Sequence, residues 1–215
     1  MVVTLIIVTR NSSAAVKTLH SILNINTYCI KNNIQIEINF INDDPFDKVK
    51  MIIKKIKSTS RIVFIDYGCG LDLETIKRTI SPIENGWHGV VFPAVLPGID
   101  WDMFKNKISK NSKEPLNQAG LNFDTNVSNQ ITGEDNYKVV NTVPKCWAIE
   151  TKPLLKNLKG PKGTGLSIPA QNKEMFEKFL EKGIKLYAYT ASNIVISYQH
   201  ECLGNILNMT GVTKD

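Results

Sequence analysis

No apolar run in the sequence is long enough to cross a bilayer; the most apolar stretch near the start, "MVVTLIIV", is far too short. That stretch also lacks the basic leader and small-residue cleavage site of a secretory signal, so it is read as a strand of a cytoplasmic protein. The four cysteines, Cys29, Cys69, Cys146 and Cys202, form no CxxC pair and have no histidine at ligand spacing. This argues against zinc and for reduced, structural thiols. The strand ending "VTRNSS" carries neither GxGxxG nor GxxxxGK[ST], which excludes the usual dinucleotide and P-loop fingerprints. Aromatic residues do not interleave with the lysines, so no stacking platform for single-stranded nucleic acid is expected.

What is present is an excess of positive charge, +6 over 215 residues, which draws a protein toward polyanions: nucleic acid, acidic membrane or diphosphate ligands. The lysines gather in "KVKMIIKKIK", "KNKISKNSK" and "KNLKGPK", the first of them read as a solvated helix face. The length suits one α/β domain with a core large enough to need no staples. "VVTLIIV" is continuously apolar and β-branched, as in a strand buried on both faces. The segment "NSSAAVKTLHSIL" predicts a helix with Ser12 or Ser13 as N-cap and Val16, Leu19 and Leu23 on its apolar face. "IQIEINFI" predicts a second strand. "NDDPFDKVKMIIKKIK" predicts a helix with Pro45 in its first turn and a stripe of Val49, Ile52, Ile53 and Ile56.

The third strand is "RIVFI" with the helix "LDLETIKRTI" after it, and the fourth is "GVVFPAV". Strands alternating with helices in this way predict a parallel sheet with right-handed crossovers. Ligands of such sheets bind outside the carboxyl ends of the strands. Those ends carry Thr9 and Arg10, then Asn42, Asp43 and Asp44, then the single carboxylate Asp66, which makes Asp66 a ligand candidate rather than only a turn former. Asp43 and Asp44 suit either a ligand or a cap for the helix that opens at Pro45. The second half is less regular. A helix over "DWDMFKNKI" capped by Asp100 is expected, then loops or a hairpin from Ser109 to Asn141. A strand at "KCWAIET", a helix at "NKEMFEKFLEKG" ended by Gly183, and strands at "IKLYAY" and "NIVISY" complete the pattern.

Five segments in order resemble the nucleotide-diphospho-sugar glycosyltransferases of GT-A fold, near glycosyltransferase family 2. They are "TLIIVTRNS", "FINDDPFDKV", "RIVFIDYGCGLDLETI", "CWAIETKPL" and "FLEKGIKLYAYTASNIVISYQHE". Compact modules of this sort are also encoded by large DNA viruses. The resemblance implies a Rossmann-like mixed sheet flanked by helices, with residues 1–98 as a nucleotide-binding half and 99–215 as an acceptor-binding half. It implies transfer of a hexose from a nucleotide-diphosphate sugar, UDP-linked, to a hydroxyl of a glycan or other acceptor, with inversion and with Mn²⁺ or Mg²⁺.

Carried over by position, Thr9 and Arg10 flank the nucleotide and Asp43 reaches base or ribose. Asp66 matches the first carboxylate of the DxD motif, and His200 the C-terminal histidine that ligates metal or contacts phosphate. His200 taken alone reads equally as a packing histidine. Lys162 in "GPKGTG" suits a lid over a diphosphate as well as it suits a plain surface turn. Trp87, Trp101 and Trp147 fit sugar stacking or, more ordinarily, core packing.

The departures are informative. Gly68 stands at the second DxD position. Gln171 and Asn172 stand where the family carries the acidic pair that includes its general base, and amides accept no proton near neutral pH. Asp100, Asp102, Glu134, Asp135 and Glu150 are the carboxylates available instead, and Asp100, just beyond the fourth strand, is the one expected to serve. Two other classes stay open: a degenerate module that binds nucleotide sugar without efficient transfer, and a sugar-phosphate nucleotidyltransferase. The missing glycine-rich loop after the first strand speaks against the latter.

Overall fold

The computed structural model describes residues 1–112, 116, 119–131, 135–160 and 165–197. In chain order these form β1 (Val2–Thr9), α1 (Val16–Lys31), β2 (Gln35–Asn42), α2 (Pro45–Lys55), β3 (Arg61–Ile65), β4 (Cys69–Leu71), α3 (Leu73–Ile80) and β5 (Gly89–Phe92). Then come α4 (Trp101–Ser109), β6 (Thr125–Gln130), β7 (Asn136–Thr142), β8 (Cys146–Glu150), α5 (Thr151–Asn157), α6 (Asn172–Glu181), β9 (Leu186–Tyr189) and β10 (Ile194–Ile196). No helix among the described residues is long and apolar enough to cross a membrane.

Eight strands make one mixed sheet in the order β2-β1-β3-β8-β5-β9-β7-β6, and β10 pairs with β4 in a small second sheet. The expectation of a parallel sheet holds for β2, β1 and β3. It fails at the next position, where β8 inserts antiparallel between β3 and β5. The segment 109–141 supplies the β6–β7 hairpin at the far edge. The fourth long strand expected at "GVVFPAV" is only Gly89–Phe92, with the short β4 preceding it.

Side chains on the central strands alternate between two cores, as the pleat requires. Ile62 and Phe64 of β3 and Trp147 and Ile149 of β8 face α2 and α6, meeting Ile52, Ile56, Met175, Phe176 and Phe179. Val63 and Ile65, with Cys146 and Ala148, face α1 and α3, meeting Ile22, Ile25, Cys29, Ile76 and Ile80. Trp147 is fully buried, stacked on Phe64 at 5.4 Å between centroids and edge-on to Phe176 at 5.8 Å. It is core. Trp101 is 59% exposed, and Trp87 packs edge-on against Tyr187. Cys29, Cys69 and Cys146 are buried free thiols; Cys202 lies outside the described residues.

Helix α1 corrects two expectations. Its N-cap is Ala15 with no side-chain cap, because Ser13 bonds back to the Arg10 carbonyl at 2.9 Å and Ser12 adopts φ +57°. Its buried face is not the Val16, Leu19, Leu23 stripe, whose members are 75%, 41% and 63% exposed. The helix turns Thr18, Ser21, Ile22, Ile25 and Cys29 inward instead. Ser21 explains the choice: its hydroxyl accepts from the Leu71 amide of β4 at 2.8 Å and donates to the Lys17 carbonyl at 3.0 Å. A polar residue with both bonds made can be buried without the desolvation penalty. In α2, Ile52 and Ile56 are buried as expected, whereas Ile53 is 40% exposed.

At the opposite end of the sheet from the parallel strands' carboxyl ends, His88 Nδ1 accepts from the Lys185 amide at 3.0 Å, which requires the neutral ring. Burial, and then the nearby Lys185 charge, hold its pKa below the ordinary 6.5. Above that value the ring is neutral in both folded and unfolded chains and costs nothing. As pH falls, the unfolded chain takes up the proton first, so stability is lost through the folded pKa. His88→Gln is therefore expected to flatten the drop in melting temperature between about pH 7 and about pH 5; an unchanged slope would contradict this origin.

Candidate functional site

The carboxyl ends of β1, β2 and β3 and the start of β8 converge on a cavity of about 370 Å³. Four cationic side chains line it, Arg10, Lys48, Lys145 and Lys173, with three carboxylates, Asp43, Asp44 and Asp66. The far wall is the start of α6, Gln171 and Asn172.

The loop after β1 aims Arg10. Arg10 and Ser13 exchange backbone hydrogen bonds at 3.0 and 2.9 Å around Asn11 and Ser12, both at positive φ. From this tight turn the guanidinium reaches Asp43, Nε to Oδ2 at 2.7 Å, and lies 4.8 Å above the Tyr67 ring. The two neighbouring aspartates divide the work. Asp44 caps α2, accepting from the Phe46 and Asp47 amides at 2.7 and 3.0 Å. Asp43 has no part in that cap and faces Arg10. Thr9 is committed to the sheet: its hydroxyl donates to the Ile41 carbonyl at 2.9 Å. It lines a separate cavity of about 670 Å³ against β2 and α2.

Asp66 sits one residue past β3. Its amide donates to the Lys145 carbonyl at 2.9 Å, extending the β3–β8 ladder by one bond. One carboxylate oxygen accepts the Tyr67 amide at 2.9 Å and the other accepts Lys145 Nζ at 2.8 Å. The carboxylate side chain is 14% exposed and the lysine 36%. Sequence reasoning placed Asp66 at the sheet edge but missed Lys145, because only the antiparallel insertion of β8 brings residue 145 beside residue 66.

Lys48 was missed differently, as one residue of a lysine cluster taken for a solvated face. It is 5% exposed, and its ammonium donates to the Asn172 side-chain oxygen. Burial lowers its pKa, and the charges of Asp66 and Asp43 push back in the other direction. The sequence signal was its position one turn into a helix whose N-cap lies at the sheet edge. Asn172 thus holds a lysine where the resembling family holds a carboxylate.

A buried carboxylate absent from the sequence expectations, Asp124, braces the start of β8. It accepts the Ala94 amide at 3.1 Å and the Thr125 hydroxyl at 2.8 Å. Burial raises its pKa, offset in part by those bonds and by the Lys145 backbone.

Asp100 is the N-cap of α4, as expected, accepting the Met103 amide at 2.8 Å. It does not line the cavity with Asp66. His200, Lys162 and Glu134 lie outside the described residues. Among the described residues no group of three or more His, Cys, Asp or Glu is placed to hold a metal ion.

Gly68, at the second position of the DxD-like segment, has φ +77° and accepts the Ser197 amide at 3.1 Å. A Cβ there would stand 3.1 Å from the Ser197 carbonyl oxygen. The turn that carries Asp66 into β4 is therefore built on a residue without a side chain.

No family model matches the sequence, and no curated protein matches it significantly. Solved structures do share the architecture. A197 from STIV, a viral protein, superposes with a TM-score of 0.50 at 12% identity over 93% of this chain and 87% of its own. GalNAc-T7, solved with UDP, GalNAc and Mn²⁺, gives 0.51 at 14% identity over 93% of this chain; the match spans 44% of the GalNAc-T7 chain. A Drosophila β-1,4-galactosyltransferase 7 mutant, solved with manganese, UDP-Gal and xylobiose, gives 0.49 at 8% identity, covering 94% of this chain and 73% of that one. A protein from Bacillus anthracis assigned as a glucose-1-phosphate thymidylyltransferase, solved with sucrose, gives 0.49 at 9% identity, covering 99% of this chain and 96% of that one. The mixed eight-stranded sheet flanked by helices is the fold of the GT-A transferases, and the resemblance read from the sequence is one of fold.

Gly68→Asp, which would restore the second acidic position, is expected to cost about 1 kcal/mol or more from the left-handed backbone alone. It should create no Mn²⁺ affinity. Thermal unfolding and Mn²⁺ titration check this; a neutral substitution that gains the metal would show that the turn can accommodate a ligand.

Proposed function

We propose that the chain is a glycosyltransferase that binds a nucleotide-diphosphate sugar, UDP-linked, at the carboxyl ends of β1, β2 and β3 and passes its hexose to an acceptor hydroxyl. The reading is carried by one observation: Asp43 and Asp66 meet Arg10, Lys48 and Lys145 around a single cavity at that edge. The cations suit a diphosphate, and a carboxylate such as Asp43 suits the hydroxyls of a ribose. Strand ends of an open α/β sheet are where such ligands bind.

In the transfer, the acceptor oxygen forms its bond to the anomeric carbon while the bond from that carbon to the diphosphate breaks. The electron pair leaves on the diphosphate and the hydroxyl proton passes to a base. Positioning of the two substrates supplies much of the rate. On this reading Asp100 is the base, with the acceptor held near the start of α4 and transfer proceeding with inversion. A divalent cation is the usual partner of a nucleoside diphosphate. The described residues do not fit one: Asp66 has both oxygens engaged, Asp43 is paired with Arg10, and Gly68 offers no ligand.

A second reading, a module that keeps the donor pocket without efficient transfer, is favoured by the same wall of the cavity. Every carboxylate lining it is held by a cation or a helix N-terminus, and Gln171 and Asn172 accept no proton. Calorimetric titration of UDP-hexoses, followed by an assay of sugar release and transfer, separates the two. Binding is expected for the native chain and roughly tenfold weaker for Asp43→Ala. Binding without any turnover would select the second reading, and no binding of any UDP-hexose would overturn both. Release of pyrophosphate from a nucleoside triphosphate and a sugar 1-phosphate would instead identify a nucleotidyltransferase.

A further inference from the structure

We infer that Lys145, with Lys48 and Arg10 beside it, takes the place of a divalent cation in this pocket, so that the chain binds nucleoside diphosphates without metal. The inference rests on the donor-site reading above and goes beyond it, since the resemblance implies Mn²⁺ or Mg²⁺.

Three observations carry it. The first is the engagement of Asp66 on both of its oxygens. Hard cations of this kind take six or more oxygen ligands, and a protein ordinarily offers them at least one open carboxylate. Asp66 has one oxygen on the Tyr67 amide and the other on Lys145 Nζ at 2.8 Å. Asp43 is held by Arg10 through Oδ2 at 2.7 Å and Asp44 accepts two helix amides through Oδ1, so Asp66, the position that matches the metal-binding carboxylate, is the one with a hydrogen bond on both oxygens.

The second is Gly68. Its left-handed φ of +77° and the approach of the Ser197 carbonyl close the position from which a second carboxylate would have to reach. The sheet geometry therefore excludes the usual pair of ligands within the described residues.

The third is the placement of the cations. Lys145 is fixed at its backbone by the Asp66 amide, which donates to its carbonyl at 2.9 Å. Its ammonium already stands where a cation bound to Asp66 would stand, at hydrogen-bond distance from that carboxylate. Lys48 approaches from α2, held by Asn172, and Arg10 from the turn after β1, held by Asp43. Amide in place of carboxylate at residue 172 belongs to the same arrangement: it accepts a hydrogen bond from Lys48 without adding a further negative charge to the pocket. Lysine serves phosphate as a compact point charge and arginine as a fork of donors. Together they supply what a metal supplies to a diphosphate in its bound and departing states, which is concentrated positive charge in a partly desolvated site.

The test is titration of the full chain with UDP in EDTA and, separately, in excess Mn²⁺. Affinities that agree within about threefold are expected, because point charges fixed by the protein do not depend on added metal. Lys145→Met should weaken UDP binding in EDTA by roughly tenfold to a hundredfold, the worth of a charged hydrogen bond. Lys156→Met, on α5 at the other end of the sheet, should leave it unchanged. Lys145→Arg, which keeps the charge and the bond to Asp66, should retain most of the affinity and serves should the methionine variant fail to fold. Binding that EDTA abolishes and Mn²⁺ restores overturns this inference and leaves the donor-site reading standing. Native affinity in Lys145→Met also overturns it. Failure of UDP to bind under both conditions overturns the donor-site reading itself.

Discussion

The structure turns on the insertion of β8, antiparallel, between β3 and β5. Without it the chain would be a short parallel sheet with polar strand ends; with it, a second strand starts at the edge where β3 stops. Phe64 lies opposite Trp147, Ile65 opposite Cys146, and the next bond in the ladder joins the Asp66 amide to the Lys145 carbonyl. The same register that stacks Trp147 on Phe64 in the core places a lysine against the aspartate at the mouth. Slipping it by one residue would turn Trp147 to the other face and carry Lys145 away from Asp66. Core packing and site chemistry are thus fixed by one choice of register, and the core supplies the energy that holds it.

Around that pair the site is built from groups that burial alone would disfavour. Lys48 is nearly enclosed, and its charge is tolerated because Asn172 accepts from it while Asp66 and Asp43 lie close. Asp124 is buried behind the start of β8, and its bonds to the Ala94 amide and Thr125 hydroxyl join the segment after β5 to the start of β6. Buried charges of this kind contribute little net stability. They fix positions. An anionic ligand entering the cavity would meet cations already held in place, with little reorganisation left to perform.

Much of this was legible in the sequence and some was not. Apolar runs and turn residues located β1 to β3, β5, β8 to β10 and five of the helices, but neither β4 nor α5, and left β6 and β7 as loops or a hairpin. Asp66, Asp43 and Arg10 were found at a shared edge because strand ends in such sheets are predictable places. The role of Asp100 as the α4 cap followed from local chemistry, whereas the division between Asp43 and Asp44, left open in the sequence, is made by the structure, with Asp44 as the α2 cap. What escaped depended on contacts distant in sequence. The buried face of α1 was misread because Ser21 finds its partner on β4, fifty residues away. Lys48 looked like one solvated lysine among several until α6 closed over it. Lys145 had no local mark at all: its importance exists only after β8 has chosen β3 as a neighbour.

The measurement that tests this account most directly is a two-dimensional amide NMR titration of the full chain with UDP. The account predicts that Arg10, Asp43, Asp66, Tyr67 and Lys145 shift together, along with the start of α6. Residues of α5 and of the β6–β7 hairpin should stay in place. Shifts confined instead to the larger cavity beside β2, around Phe40, Lys50 and Lys54, would contradict it and move the binding site away from the β3–β8 junction.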